Sequence, residues 1–585
     1  MKATLSGLLG IAALAVAVVV GCGQPLRAPE RPTTVEVPTY LQGTIGQQAR
    51  VSGLESVLVQ GVGLVTGLDG TGSTIHSPGI RDRMLKEMNR HRVPDPERLL
   101  ADPSTAVVSV MGLIPAGCHA GERFDVSVQP LAGTNASSLE GGTLMETELV
   151  RVEAGRGGLA QGQALASASG SIFVSPFMLA EDTGTSVPSG PRPVVGDGER
   201  TDTAPPAREQ PRTNPQLGIV LGGGQSRHTR SFFLQLINPS ERTAEQIVRH
   251  INARFPPEEK NIAKGNVDPG TVDLRVPRIY KDDKARFLNV VSSIYLIDTP
   301  SQRDMRMREL VDELRKAKDP TPVTSAMEAF GTSIVPLLSS LLQDSEPRMR
   351  FYAARTMAFL QRTDCLATLE QFVADNKSPF QEAAIRVLAE VPKGAGAAVI
   401  MKGLDAENPT ARIAAYLTLE KVAPHLLPAV EIPDRFTLAV VPSEGQPFIF
   451  VSRQDKPRVV IFGDVRIEPP LLVNTPRYLV SVSSGESQVA MINKKYGSPC
   501  TVRSSLLLAD VVSAMARPLG ITERNRTAIG LDLSYGDVVG LIDRAFNEGA
   551  IKAPLRLEPI RFIGPAGDQP LPELGEPEIL PIPDK

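Results

Sequence analysis

Glycines crowd one segment of this chain in a pattern that could cradle a phosphate. Gly61, Gly63, Gly67, Gly70 and Gly72 all fall within the fourteen residues 59–72. In a glycine-rich turn, backbone N–H groups can converge on an anion, which is why nucleotide-binding loops use such turns. A Walker loop needs Lys-Ser or Lys-Thr after its last glycine, and here Gly72 is followed by Ser73 and Thr74. A dinucleotide fingerprint needs G-x-G-x-x-G. The run Gly61, Gly63, Gly67 is one residue too long for it. What remains is a short buried strand carried by Val62, Leu64, Val65 and Leu68. It enters a turn that needs positive φ or close approach of backbones.

The other reactive residue types form no constellation either. The six histidines contain no H-E-x-x-H and no pair at i, i+4. Cys118 and His119 are neighbours, and neighbours on a strand or turn point apart more often than they converge on a ligand. No G-x-S-x-G nucleophile elbow occurs; the nearest approach, Gly485-Glu486-Ser487, lacks the second glycine. Asp282-Asp283 and Glu258-Glu259 read as solvated charges. We therefore expect no enzyme, no metal site and no cofactor. Besides Cys22, only Cys118, Cys365 and Cys500 are present, without any C-x-x-C. That is neither a disulfide framework nor a zinc site, and no spacing selects a Cys118–Cys500 bridge. A net charge of −3 without a long basic run argues against nucleic acid as a partner.

The start of the chain addresses compartment. Lys2 precedes an apolar run over 8–20, then Gly21 and Cys22, which describes an export signal. The run is shorter than the roughly 20 apolar residues of a membrane-spanning helix. Val19-Val20-Gly21-Cys22 resembles a lipobox, making Cys22 the expected lipid-attachment residue. Gly23, not aspartate, follows it, which favours anchoring at the outer membrane, facing the periplasm.

The elements that must carry these residues point to an α+β, multidomain chain. It reads as strand-rich modules with an inserted all-α segment. A lipoprotein signal (1–21) and a Pro-rich tether (22–45) lead into a strand-rich domain (46–180), with strands near 105–110 and 123–128 and a helix near 80–91. Residues 181–216 are dense in Pro, Gly and charge and read as a flexible loop. An α+β module (217–300) follows. In it Asn238-Pro239-Ser240 offers a helix cap ahead of Ala244, Ile247, Val248 and Ile251 at helical spacing. Over 320–424, Asp344, Asp375 and Asp405 recur about 30 residues apart, each shortly before a proline and an Ala-rich helix. This resembles short HEAT-type repeats, an α-solenoid whose concave face commonly binds protein. Strands and two helices return over 430–560, and 561–585 is a Pro-rich tail.

As a string, residues 59–72 resemble the N-terminal signature of the bacterial flagellar P-ring protein family, "G-Y-G-L-V-x-G-L-x-G-T-G-D". Gly61, Gly63, Leu64, Val65, Gly67, Leu68, Gly70, Thr71 and Gly72 match it; Val62 and Ser73 depart from it. Further likenesses follow in family order. They are Ala136 to Leu144, Leu159-Ala160-Gln161-Gly162, the module from Phe233 through Asn252 to Pro277, and softer ones at Leu508–Ala514 and Gly549–Ala553. The lipid signal, the helical repeats, the 181–216 loop and the tail are extra, so the resemblance implies a divergent member. It implies a structural subunit, in the periplasm at the flagellar basal body. There it would assemble with itself into a ring around the rod, as a bushing at the peptidoglycan, near L-ring proteins and held to the outer membrane by lipid. In that picture the glycines let backbones of neighbouring subunits approach closely. A non-flagellar alternative keeps the fold and makes the HEAT-like repeats an adaptor that recruits an envelope protein.

Overall fold

Residues 49–292 alternate buried and exposed positions along most strands and turn sharply between them, and this pattern closes one sheet on itself. The computed structural model describes residues 38–73, 78–90, 93–151, 163–177, 214–255, 261–297, 299–432, 435–494, 500–518, 530–559 and 578–580. The expected signal, the lipid site Cys22, the 159–162 likeness, most of the 181–216 loop and most of the tail lie outside them. Residues up to Gln42 form a unit of their own, and the elements below belong to the unit from Gly43 onward.

That unit begins with α1 (Ile45–Gln48) and β1 (Ala49–Ser52), followed by β2 (Val57–Thr66), α2 (Pro78–Arg90) and α3 (Pro96–Ala101). Strands β3 (Ala106–Ile114), β4 (Arg123–Pro130), β5 (Thr143–Arg151), β6 (Ala164–Ser171) and β7 (Gly218–Ser226) come next. Strands β2 to β7 form a closed antiparallel barrel in the order β2-β3-β4-β7-β6-β5. Closure removes the exposed edges that a six-stranded open sheet would leave. Val59, Val65, Val108, Val110, Val126 and Val128 fill its interior.

The module beside it is a four-stranded sheet in the order β1-β8-β10-β9, using β8 (Phe232–Leu236), β9 (Ala263–Gly265) and β10 (Thr271–Leu274). Helix α4 (Glu241–Arg254) starts on Ser240, whose side chain accepts from Thr243 N at 3.4 Å, and buries Ala244, Ile247 and Ile251 as their spacing requires. Helix α5 (Lys284–Ser292) completes the core. Strand pairing corrects two boundaries expected from the sequence. Residues 218–226 belong to the barrel rather than to the 217–300 module, because β7 pairs with β4 and β6. The module instead takes its edge strand from 49–52, paired with β8. The tether expected to reach residue 45 ends earlier, since Ile45 is fully buried in the module core.

Helices α6 (Pro300–Lys316), α7 (Thr321–Ala329), α8 (Val335–Leu341), α9 (Pro347–Phe359), α10 (Leu366–Ala374), α11 (Gln381–Val387), α12 (Ala397–Gly403) and α13 (Pro409–Val422) follow. Successive packing of α7, α9, α11 and α13 makes one rank, and α10 packs on α12 beside it. The recurrent aspartates have a local task. Asp344 accepts from Glu346 N and Asp375 from Lys377 N, both at 3.0 Å, turning the chain before α9 and α11. In the third position Asn408 does this instead, accepting from Thr410 N at 2.9 Å as the cap of α13.

Each end of this helical segment is fastened by a buried arginine. On α5, Arg286 lies between the rings of Tyr280 (4.5 Å to centroid) and Phe359 (3.8 Å). It pairs with Glu328 at 3.5 Å and Glu390 at 3.3 Å, so one side chain touches α7, α9 and the turn after α11. Arg412 on α13 reaches the other way. It lies over Phe448 (4.8 Å) and Phe462 (5.1 Å) and donates to the carbonyls of Leu404 (3.2 Å) and Gln446 (2.8 Å).

Those two phenylalanines belong to the six-stranded sheet β11-β12-β14-β13-β19-β20. Its strands are β11 (Ala429–Ile432), β12 (Phe436–Val441), β13 (Phe448–Val451), β14 (Arg458–Phe462), β19 (Leu555–Leu557) and β20 (Glu578–Leu580). A four-stranded meander, β15 (Leu471–Asn474), β16 (Tyr478–Val482), β17 (Gln488–Asn493) and β18 (Cys500–Ser505), shares a core with it. Helices α14 (Leu508–Ala516) and α15 (Tyr535–Asn547) fill the space between. Phe173, just past β6, inserts into that same core against Tyr535 (centroids 5.1 Å apart), joining the barrel to the C-terminal domain.

Candidate functional site

The glycine segment is strand β2 and the turn behind it, as its pattern predicts. Along β2 the odd positions face the barrel interior and the even ones face out. Leu64 therefore packs outward with Met84, Met88 and Leu100, while Val65 and Leu68 join the interior core. Gly61 and Gly63 are inward positions without a side chain because β5 crosses there. The β2–β5 register shifts between Gln60 and Val65, and the β5–β6 register between Leu144 and Thr147. A Cβ on Gly61 would collide with the Glu148 carbonyl, and one on Gly63 with the Thr147 hydroxyl. Both glycines thus permit a bulged strand to close the barrel. This close approach is made within the chain, where the sequence alone suggested a neighbouring subunit.

The turn that follows answers the anion question on geometry. Gly67 and Gly70 have φ of +83° and +86°, and between them Asp69 stands at +49°. Leu68 N donates to Ser104 O (2.9 Å), Gly72 N to Pro103 O (2.9 Å) and Ser73 N to Thr105 O (2.8 Å). These amides are committed to the 103–105 strap, so they do not converge on a phosphate. The Thr71 hydroxyl donates to Leu68 O at 2.7 Å or to Ser138 O at 2.9 Å, and Ser137 N donates to Thr71 O at 2.9 Å. The turn is therefore bolted to the second family-like stretch, 136–144.

Arg477 of the C-terminal domain enters between these two turns. Its Nε lies 3.6 Å from Asp69 Oδ2, and its Nη2 3.3 Å from Asp537 Oδ2. Asp537 is fully buried at the start of α15, where it accepts from Ser534 N at 2.9 Å and from the Ser534 hydroxyl at 2.6 Å. Gly141, with φ +73°, leaves the guanidinium the space that a Cβ would occupy. Burial raises the pKa of neighbouring Glu140; the Asp537 charge adds to this, and Arg477 and Arg544 oppose it. A second polar contact ties the same two bodies: Asp455 N donates to the Asp125 carboxylate at 3.0 Å.

The remaining candidates stay apart. Cys118 carries a free, buried thiol 3.5 Å from the Ser226 hydroxyl. His119 is turned toward Glu122 through its backbone N–H (2.9 Å), and burial lowers its pKa. Among the described residues, no three His, Cys, Asp or Glu side chains gather to hold a metal. No helix among them is long and apolar enough to cross a membrane. Sequence reading missed Arg477, Asp69 and Asp537, whose association depends on chain reversals far apart in sequence.

Comparison with known proteins bears on the barrel and the module. A family model described as "Flagellar P-ring protein" matches residues 44–305, the stretch that contains both. The flagellar P-ring protein of Thermotoga petrophila is 31% identical over 255 residues, covering 43% of this chain and 65% of that protein. The Nitrobacter hamburgensis protein of the same name is 27% identical over 277 residues, 47% of this chain and 65% of the relative. That of Marinobacter nauticus is 27% identical over 283 residues, 47% and 66%. The chain thus spans just under two thirds of the length of these curated relatives. Over its barrel and adjoining α+β module, the chain is similar to flagellar P-ring proteins.

Proposed function

We propose that this protein is a structural subunit of the flagellar basal-body P ring. It would assemble with copies of itself around the rod in the periplasm, at the peptidoglycan and close to L-ring proteins. Cys22, lipidated, would hold the ring to the outer membrane. One acyl chain binds a bilayer weakly and several bind firmly, so a ring of lipidated subunits would be stably anchored. The observation that carries this reading is the family match over 44–305, which coincides with two intact folded bodies. The C-terminal likenesses at 508–514 and 549–553 would extend the family body to the second half of the chain. Negative-stain imaging of basal bodies from wild-type cells and from cells lacking the gene tests the proposal. Loss of the peptidoglycan-level ring with impaired swimming is expected; intact rings and normal motility would overturn it.

Helices 321–422 read as HEAT-like repeats built into this subunit. The adaptor alternative makes them the working part, recruiting an envelope protein with the rest of the body as anchor. Arg286 and Arg412 bury both ends of the segment in the rest of the body, as either reading requires. Deletion of residues 320–424 separates the two, since assembly and motility that survive it would favour the ring reading.

A further inference from the structure

We propose that the two family-like turns, 67–72 and 137–142, together form a guanidinium-binding cradle whose ligand is Arg477 of the C-terminal domain. Four independent features converge on it. Left-handed backbone at Gly67 and Gly70 aims the Asp69 carboxylate into the space where Arg477 enters. The Thr71 hydroxyl and carbonyl fasten one turn to the other, so the cradle has two walls of fixed separation. Gly141 leaves room for the guanidinium, because a methyl group there would overlap its Nη1 and Cζ. Asp537, held by the cap of α15, supplies the second carboxylate from the domain that carries the arginine.

The cradle assigns the glycine signature a binding task that neither strand pairing nor barrel closure explains. Asp69 and Gly141 lie within the family-matched residues and Arg477 lies beyond them. The signature thereby sets how the C-terminal domain is carried on the barrel. An arginine suits such a site better than a lysine. Its planar group reaches two carboxylates from separate nitrogens, whereas an ammonium is a point charge.

Hydrogen exchange on the purified full-length chain tests this. Arg477→Ala and Gly141→Ala are each expected to raise exchange at least tenfold at Leu68, Thr71, Gly72, Ser137 and Gly142. Amides of β3 and β4 should stay at wild-type rates, and Arg477→Lys should fall between. Unchanged exchange in both turns overturns the proposal. So does a rise spread evenly over the whole barrel, which would make Arg477 ordinary packing. Should Arg477→Ala fail to fold, Asp69→Asn decides, because it keeps the arginine and removes one wall's charge. Faster exchange in the two turns supports the cradle, and wild-type exchange sinks it. The ring reading is separable: a wild-type chain with protected turns that builds no ring refutes the ring and leaves the cradle standing.

Discussion

The two ends of the helical segment use one device and treat its charge in opposite ways. At the N-terminal end, Arg286 stacks between Tyr280 and Phe359 and faces two carboxylates, Glu328 and Glu390. At the C-terminal end, Arg412 stacks on Phe448 and Phe462 and donates to main-chain carbonyls. Both arginines are buried, at 6% and 1% exposure, so neither is a solvated surface charge. Stacking on aromatic faces offsets part of the cost of removing a guanidinium from water at both ends. The carboxylates add charge compensation at the first end. They also add an obligation, because Glu328 is itself buried to 1% exposure: its carboxylate pairs with Arg286 and accepts from the Tyr280 hydroxyl, while Arg254 donates to its main-chain carbonyl.

That difference predicts unequal responses to the same truncation. Arg286→Ala takes the paired guanidinium from the buried Glu328 carboxylate and leaves it the Tyr280 hydroxyl, which costs about 3–5 kcal/mol. Arg412→Ala leaves no orphaned charge. It removes the stacking and two hydrogen bonds to carbonyls, a loss of about 1–3 kcal/mol. Urea denaturation of the two variants beside wild type measures both. Equal losses would break the comparison and mean that the rings, rather than the charges, fasten each end. A larger loss for Arg412→Ala would reverse it.

What the sequence made legible divides along the same line between local and distant causes. Ser240 with Ala244, Ile247 and Ile251 announces a capped amphipathic helix because cap and face lie within one short stretch. The glycine signature announces a strand and a turn for the same reason. Arg286, Arg412 and Arg477, by contrast, read only as charges in a helix or at the head of a strand. Nothing local says that each will be buried against aromatic rings or between turns brought from elsewhere. The strand Gly218–Ser226 reads from sequence as part of the neighbouring module because its barrel partners, β4 and β6, precede it across a long connection. Asn408 replacing an aspartate as the third turn-former shows the reverse case, a local rule obeyed by a different residue.

The smallest effect tests the charge itself. Burial raises the Glu328 pKa, and Arg286, the Tyr280 hydroxyl and Arg254 oppose that without reversing it. A carboxyl with a raised folded pKa binds its proton more readily folded than unfolded. Its contribution is present below the unfolded value of about 4.3 and is lost as pH rises through the folded one. Glu328→Gln mimics the protonated form, so at or below about pH 4 it should match wild type to within about 1 kcal/mol. From about pH 4 upward, wild type should lose ground relative to the variant. Urea midpoints measured across that range would show the trend. If wild type instead gains on Glu328→Gln as pH rises, then Arg286 outweighs burial and the N-terminal fastening is a true ion pair. In that case acid would loosen this end of the helical segment first, while the carbonyl-bound Arg412 end stayed closed.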